Sequence, residues 1–135
     1  MSLPETRYEI RDLHGIEEMV AAELLQKEVW RSDDDFDNKD ILTAIQHAGG
    51  MVVGAFDSLG TLAGFIFGFP TMDPRVFHSH RLAVSQSHRR HGLGEKLKWF
   101  QRDWCLSRKV ETIQWPTDPL RTINADLNIR CLGAI

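Results

Sequence analysis

Two cysteines, Cys105 and Cys131, in 135 residues are too few for a disulfide framework and lack zinc-ligand spacing. Reduced thiols are expected. The chain also lacks a long apolar run: the longest, Leu62 to Pro70 (LAGFIFGFP), is far short of the roughly 20 residues a membrane helix needs. No membrane partner is predicted. The opening MSLPETRYEIRDL has no basic start followed by an apolar block, which argues against a secretory leader and predicts a cytoplasmic address. There is no internal repeat, low-complexity tract or long linker, so residues 1–135 are read as one domain. What is present is ordinary for a globular chain, 42% hydrophobic and 26% charged, and excludes disordered and collagenous classes.

The net charge of −3 argues against general nucleic-acid binding. The charge is unevenly spread. Arg75 to Arg102 holds seven Lys or Arg and four His against the single acid Glu95. The rest of the chain carries nine basic and eighteen acidic residues. A basic window inside an acidic protein is either a solvated helix face or a local anion site. A nucleic-acid-binding reading would use the same window, but the acidic remainder would repel phosphate.

Hydrophobic patterning predicts a short strand at Arg7 to Leu13 and a helix at Gly15 to Trp30, with Ile16, Met19, Val20, Leu24 and Val29 at three- to five-residue spacing. The acidic stretch Ser32 to Asp37 reads as a loop; Asp33 to Asp37 is either solvated or attracts a cationic amine. A second helix follows at Lys39 to His47, ended by Gly49 and Gly50. Met51 to Phe56 and Thr61 to Phe69 form a hairpin around Asp57 to Gly60, and Val76 to Val84 is a further strand. Gly92 to Ser107 is a helix with Leu93, Leu97, Phe100 and Trp104 on one face. Glu111 to Trp115 reads as a strand, Pro116 to Pro119 as a turn, and Asn124 to Leu132 as a last helix ended by Gly133. The order β-α-α-β-β-β-α-β-α predicts an α/β fold, a mixed sheet with helices on its faces.

The informative segment is Leu82-Ala83-Val84-Ser85-Gln86-Ser87-His88-Arg89-Arg90-His91-Gly92-Leu93-Gly94. It leads from a strand through a polar loop into a helix N-terminus, where unpaired backbone N–H groups and the helix dipole attract anions. Gly92 and Gly94 allow a diphosphate close approach to the backbone, and Arg89, Arg90 and His91 add positive charge. Two other phosphate motifs fail. Gly94 is followed by Glu95-Lys96 where the Walker pattern needs Lys-Ser/Thr, and Leu97 stands where the dinucleotide fingerprint needs its third glycine.

Arg89-x-x-Gly92-x-Gly94 after Leu82-Ala83-Val84 resembles the GNAT superfamily of acyl-CoA-dependent N-acyltransferases, whose signature is Arg/Gln-x-x-Gly-x-Gly/Ala after a Leu-Ala-Val-like strand end. The resemblance implies the GNAT fold, with acetyl-CoA or coenzyme A as cosubstrate and an amine of a small molecule or peptide as acceptor. It implies that the diphosphate lies on backbone amides of Arg89, Arg90, His91, Gly92, Leu93 and Gly94. The pantetheine arm would run beside Leu82, Ala83 and Val84, near Asn124 at the start of the last helix. Two departures carry expectations. Ile129 stands where the family often has a proton-donating tyrosine, and Tyr8, the sole tyrosine, lies on the first strand and is not expected to replace it. The family continues into two more strands after the last helix, so a C-terminally shortened fold is expected. The bare edge of Glu111 to Trp115 would then pair with a second copy in a homodimer.

Acyl transfer to an amine needs a base and donors for the thioester oxygen. Backbone N–H groups near Ala83 and Val84 suit the second role. For the first, His78 and His80 are the leading candidates: they share a sheet face, and imidazole as a group suits proton transfer near neutral pH. They are alternatively packed beside the acceptor cleft without catalytic work. A metal would need a third ligand that the neighbouring sequence does not offer, so none is predicted. Glu111 and Asp118 are weaker base candidates. The expected function is direct acetyl transfer from acetyl-CoA to an amine; the alternative is a non-catalytic CoA-binding or dimerisation module.

Overall fold

The computed structural model describes residues 7–30, 36–89, 91–115 and 126–128. Six strands form one sheet in sequence order: β1 (Glu9–Asp12), β2 (Met51–Phe56), β3 (Leu62–Pro70), β4 (Val76–Val84), β5 (Thr112–Gln114) and β6 (Asp126–Asn128). The first four make an antiparallel meander, with β2, β3 and β4 joined by short turns. The turn at Asp57 closes with Asp57 Oδ1 accepting from the Leu59 and Thr61 N–H groups. A parallel partner requires a crossover, and α3 (Leu93–Ser107) supplies it between β4 and β5.

The sheet is covered on both faces, so β2 is buried along its whole length and β3 through its middle. On one face α1 (Gly15–Trp30) and α2 (Lys39–His47) pack Met19, Ala22, Leu25 and Leu42 against Val52, Phe65, Phe67 and Ala83. On the other, Leu93, Leu97 and Cys105 of α3 meet Val53, Ala63, Ile66, Phe77 and Ile113. The period-two alternation of the strands thus feeds two separate cores.

Ser79 pairs with Gly68 and Arg81 with Phe67, so His80 is the extra residue of a β-bulge in β4. Glycine is needed opposite it. A Cβ at Gly68 would collide with the His78 carbonyl oxygen and the Phe77 ring.

One element departs from the sequence reading. Within 124–132, expected as a helix, residues 126–128 form β6, antiparallel to β5 with Ile113 opposite Leu127. Backbone groups along an open strand edge demand partners, and that demand outweighs a weak local helical pattern. The bare edge at Thr112 to Gln114, on which self-association was expected, is therefore covered within the chain.

Candidate functional site

The strand-to-helix junction forms one half of the site. β4 ends at Val84, a single 3-10 turn spans Gln86–His88, and α3 begins after Gly92. Gly92 has φ +71°, the left-handed region that favours glycine, and no side chain caps the helix behind it. The N–H groups of the first turn thus lack both intrahelical partners and a cap. Nothing lies within 4 Å of the position a Gly92 Cβ would take. Arg89 and His91 precede Gly92 in the chain and Lys96 lies in the first turns of α3, whereas Leu93 is buried, so Leu93 offers only its backbone there. Gly94 faces Leu82 and Val84, whose side chains lie 3.7 and 3.8 Å from the point where a Cβ would stand. Arg90 and Asn124 lie outside the described residues.

Beside this opening β4 has a strand on one side only among the described residues. β3 runs along it to Val84, but β5 pairs with it only over Val76, Phe77 and His78. Beyond His78 no described strand occupies the outer edge of β4. An uncapped helix start, basic surroundings and an open strand edge fit a diphosphate followed by an amide-bearing chain.

The sequence reading missed what braces this loop. The Tyr8 hydroxyl lies 2.8 Å from His88 Nδ1 and 3.3 Å from His91 Nδ1. On its other side, His88 Nε2 is 3.6 Å from Asp57 Oδ2. Asp57 therefore divides its oxygens between the β2–β3 turn and the loop. Burial, with the Asp57 charge added, raises the Tyr8 pKa and keeps the phenol neutral. Eighty residues separate Tyr8 from His88, so no local pattern links them.

The other half lies around the bulge. His78 Nε2 and His80 Nδ1 are 3.2 Å apart, and Phe69 packs against both rings with centroids at 5.0 and 5.7 Å. The structure thus brings the two sequence-selected histidines together. Burial first, and the neighbouring His80 second, lower the His78 pKa, which favours a neutral imidazole. Phe69 also lines a cleft of about 510 Å³ with Ile45, Ala48, Gly50 and Pro70.

Asp37, from the acidic connection between α1 and α2, closes the cluster. Its Oδ2 is 2.8 Å from Arg81 Nε and 4.0 Å from His80 Nε2. Its backbone is held by the buried Gln26, whose Nε2 donates to Asp37 O at 2.8 Å and whose Oε1 accepts from Asp37 N–H at 2.9 Å. Glu23 accepts from Lys39 N–H and Asn38 caps α2, which pins the following residues. No group of three or more His, Cys, Asp or Glu able to hold a metal ion occurs among the described residues. Asp118 lies outside them, and Glu111 precedes β5 at the far end from Gln114.

The acetyltransferase (GNAT) family model matches residues 10–127. Among solved structures, an aminoglycoside 6′-N-acetyltransferase complexed with coenzyme A superposes with a TM-score of 0.70 at 21% identity, covering 80% of this chain and 61% of that one. A GNAT family N-acetyltransferase (YhbS) from Escherichia coli in complex with CoA gives 0.70 at 20% identity, covering 89% and 68%. The ribosomal-protein-S18-alanine N-acetyltransferase of Escherichia coli gives 0.70 at 17%, covering 86% and 70%. These likenesses carry the fold. The chain spans less than two thirds of the aminoglycoside enzyme's length. No curated protein matches it.

Proposed function

The chain belongs to the acetyltransferase (GNAT) family, and on that premise we propose that it transfers an acetyl group from acetyl-CoA directly to an amine. The observation that carries this reading is the outer edge of β4 beyond His78, which no described strand covers, leading into the uncapped start of α3 at Gly92. Amides at that helix start and the Arg89 and His91 side chains hold the diphosphate, while the β4 edge holds the pantetheine amides and presents N–H groups to the thioester oxygen.

His78 is the base in this reading, because burial beside Phe69 keeps its imidazole neutral and able to accept a proton. The amine nitrogen forms a bond to the acyl carbon as the carbon–sulfur bond breaks. Of the two protons the ammonium loses, one goes to His78 and the other to the departing sulfur. The nucleophile belongs to the acceptor, so no covalent enzyme intermediate forms. The apolar cleft beside Phe69 suits an acceptor that carries an alkyl or aryl group next to its amine.

Acetyl-CoA turnover against arylalkylamines, polyamines and aminoglycosides, followed by thiol release and by mass of the product, tests the reading. The expected result is an acetylated arylalkylamine. Tight CoA binding with no acetyl transfer to any amine would instead identify a CoA-binding module.

A further inference from the structure

Resting on the acetyl-transfer reading, we propose that Asp37 and His80 are positioning residues that fix the tautomer of His78 and leave its Nδ1 as the proton acceptor. The two rings meet through one nitrogen each, His78 Nε2 and His80 Nδ1, at 3.2 Å. When both rings are neutral, one of these nitrogens carries the shared proton and the other must accept it. The ring contact alone does not choose between these arrangements.

Asp37 chooses. Its Oδ2 faces the remaining nitrogen of His80, Nε2, at 4.0 Å. If His80 donated from Nδ1, its Nε2 lone pair would point at a carboxylate, and the two would repel. With the proton on Nε2, an N–H dipole points at the carboxylate instead, and Nδ1 becomes an acceptor. His78 must then donate from Nε2, which leaves its own lone pair on Nδ1. The chain Asp37, His80, His78 thus does for a histidine base what a buried aspartate does in a hydrolase triad.

The parts are held independently of the charges they carry. Gln26 grips the backbone of Asp37 through both its N–H and its carbonyl, so the backbone at this position is held even if the side chain changes. The bulge at His80 lets His80 and Arg81 both reach Asp37. Arg81 competes for the same oxygen at 2.8 Å. This tempers the pull on His80, which Asp37 orients from 4.0 Å. Of the remaining elements, β3 presents the uncharged rings of Phe67 and Phe69 and β5 places neutral Gln114 opposite His78. From α1, Glu23 is engaged with the Lys39 N–H and Lys27.

The experiment is long-range 1H–15N correlation of the histidine rings in the intact chain, recorded about two pH units above the imidazole range. Both His78 and His80 are expected as Nε2–H tautomers. In Asp37→Asn the His80 tautomer becomes mixed, and in His80→Phe, which keeps a ring against Phe69, the His78 tautomer becomes mixed. An amide spectrum of each variant confirms folding. In turnover, Asp37→Asn is expected to lower kcat by about tenfold with the KM for acetyl-CoA unchanged. Loss of the carboxylate destabilises the imidazolium, so the acidic limb of the pH profile moves to lower pH. Nδ1–H on His78 in the parent protein, or an Asp37→Asn variant with unchanged tautomers and acidic limb, overturns the proposal. The expected tautomers with no acetyl transfer to any amine overturn the acetyl-transfer reading while the ring arrangement stands.

Discussion

At the scale of single residues, the two glycines at the start of α3 do different jobs. Gly92 needs a left-handed backbone, and Gly92→Ala costs about 1 kcal/mol from that conformation alone. A Cβ at Gly94 would make only ordinary contacts with Leu82 and Val84. Gly94→Ala should therefore keep both the fold and CoA binding by calorimetry. Gly94→Leu must displace Leu82 and Val84 beside the open β4 edge, and CoA binding should fall at least about tenfold as that edge moves. The sequence marked both positions as glycines of one motif but could not separate them, because the distinction lies in what each absent side chain would touch. Cys105 makes a second test at this scale. Burial pushes its thiol up to about 12, so at neutral pH it carries almost no thiolate. Peptide mapping after treatment with a thiol reagent should find Cys105 unmodified in the folded protein and modified once guanidinium is added.

At the scale of elements, helices and strands with strong periodicity were legible: α1, α2 and β4 lie where the apolar spacing puts them. Residues 126–128 were not, since three residues on a sheet edge are fixed by pairing with β5 rather than by their own pattern. The bulge was hidden for the same reason, because it exists only in the register between two strands. Side-chain braces between elements were equally invisible. One ties β1 to α1: Arg11 donates to both Glu18 oxygens at 2.8 and 2.9 Å, and the His14 N–H donates to Glu18 at 2.7 Å. The Arg11 hydrogen bonds, opposed by some desolvation, bring the Glu18 pKa down to about 2 from 4.5. A lowered carboxylate pKa stabilises the fold fully above pH 4.5, and that contribution is lost as pH falls through about 2. Solvent screening holds the effect to about 1 kcal/mol. Urea midpoints at neutral pH and near pH 2 should therefore converge for the parent and Glu18→Gln as the pH drops. A second brace joins the residue before β1 to the phosphate loop. Tyr8→Phe removes the hydroxyl between His88 and His91, costing about 1 kcal/mol. CoA affinity, read by calorimetry, should weaken with it.

At the scale of the molecule, charge and topology both favour the proposed ligand position at the start of α3. The chain is net acidic, yet seven of its sixteen basic residues fall between Arg75 and Arg102. That span contains β4, the loop and the first two-thirds of α3. The proposed anion-binding half was therefore legible in the sequence, since its residues are contiguous along the chain. Of the proposed acceptor half only His78 and His80 were legible, because Asp37, Gln26 and Phe69 come to them from three other segments. A local anion site and a general polyanion surface make opposite predictions in one thermal-shift experiment. CoA bound to the folded state alone stabilises it by about 2.7 kcal/mol at a hundred times its Kd. For a domain of this size that raises Tm by roughly 5–10 °C. Duplex DNA at equal phosphate concentration meets the acidic remainder of the surface and should leave Tm unchanged. A rise with DNA that disappears in about 0.2 M salt would place the basic window on a polyanion surface. A rise with CoA alone, abolished by Gly94→Leu, would place it at the start of α3.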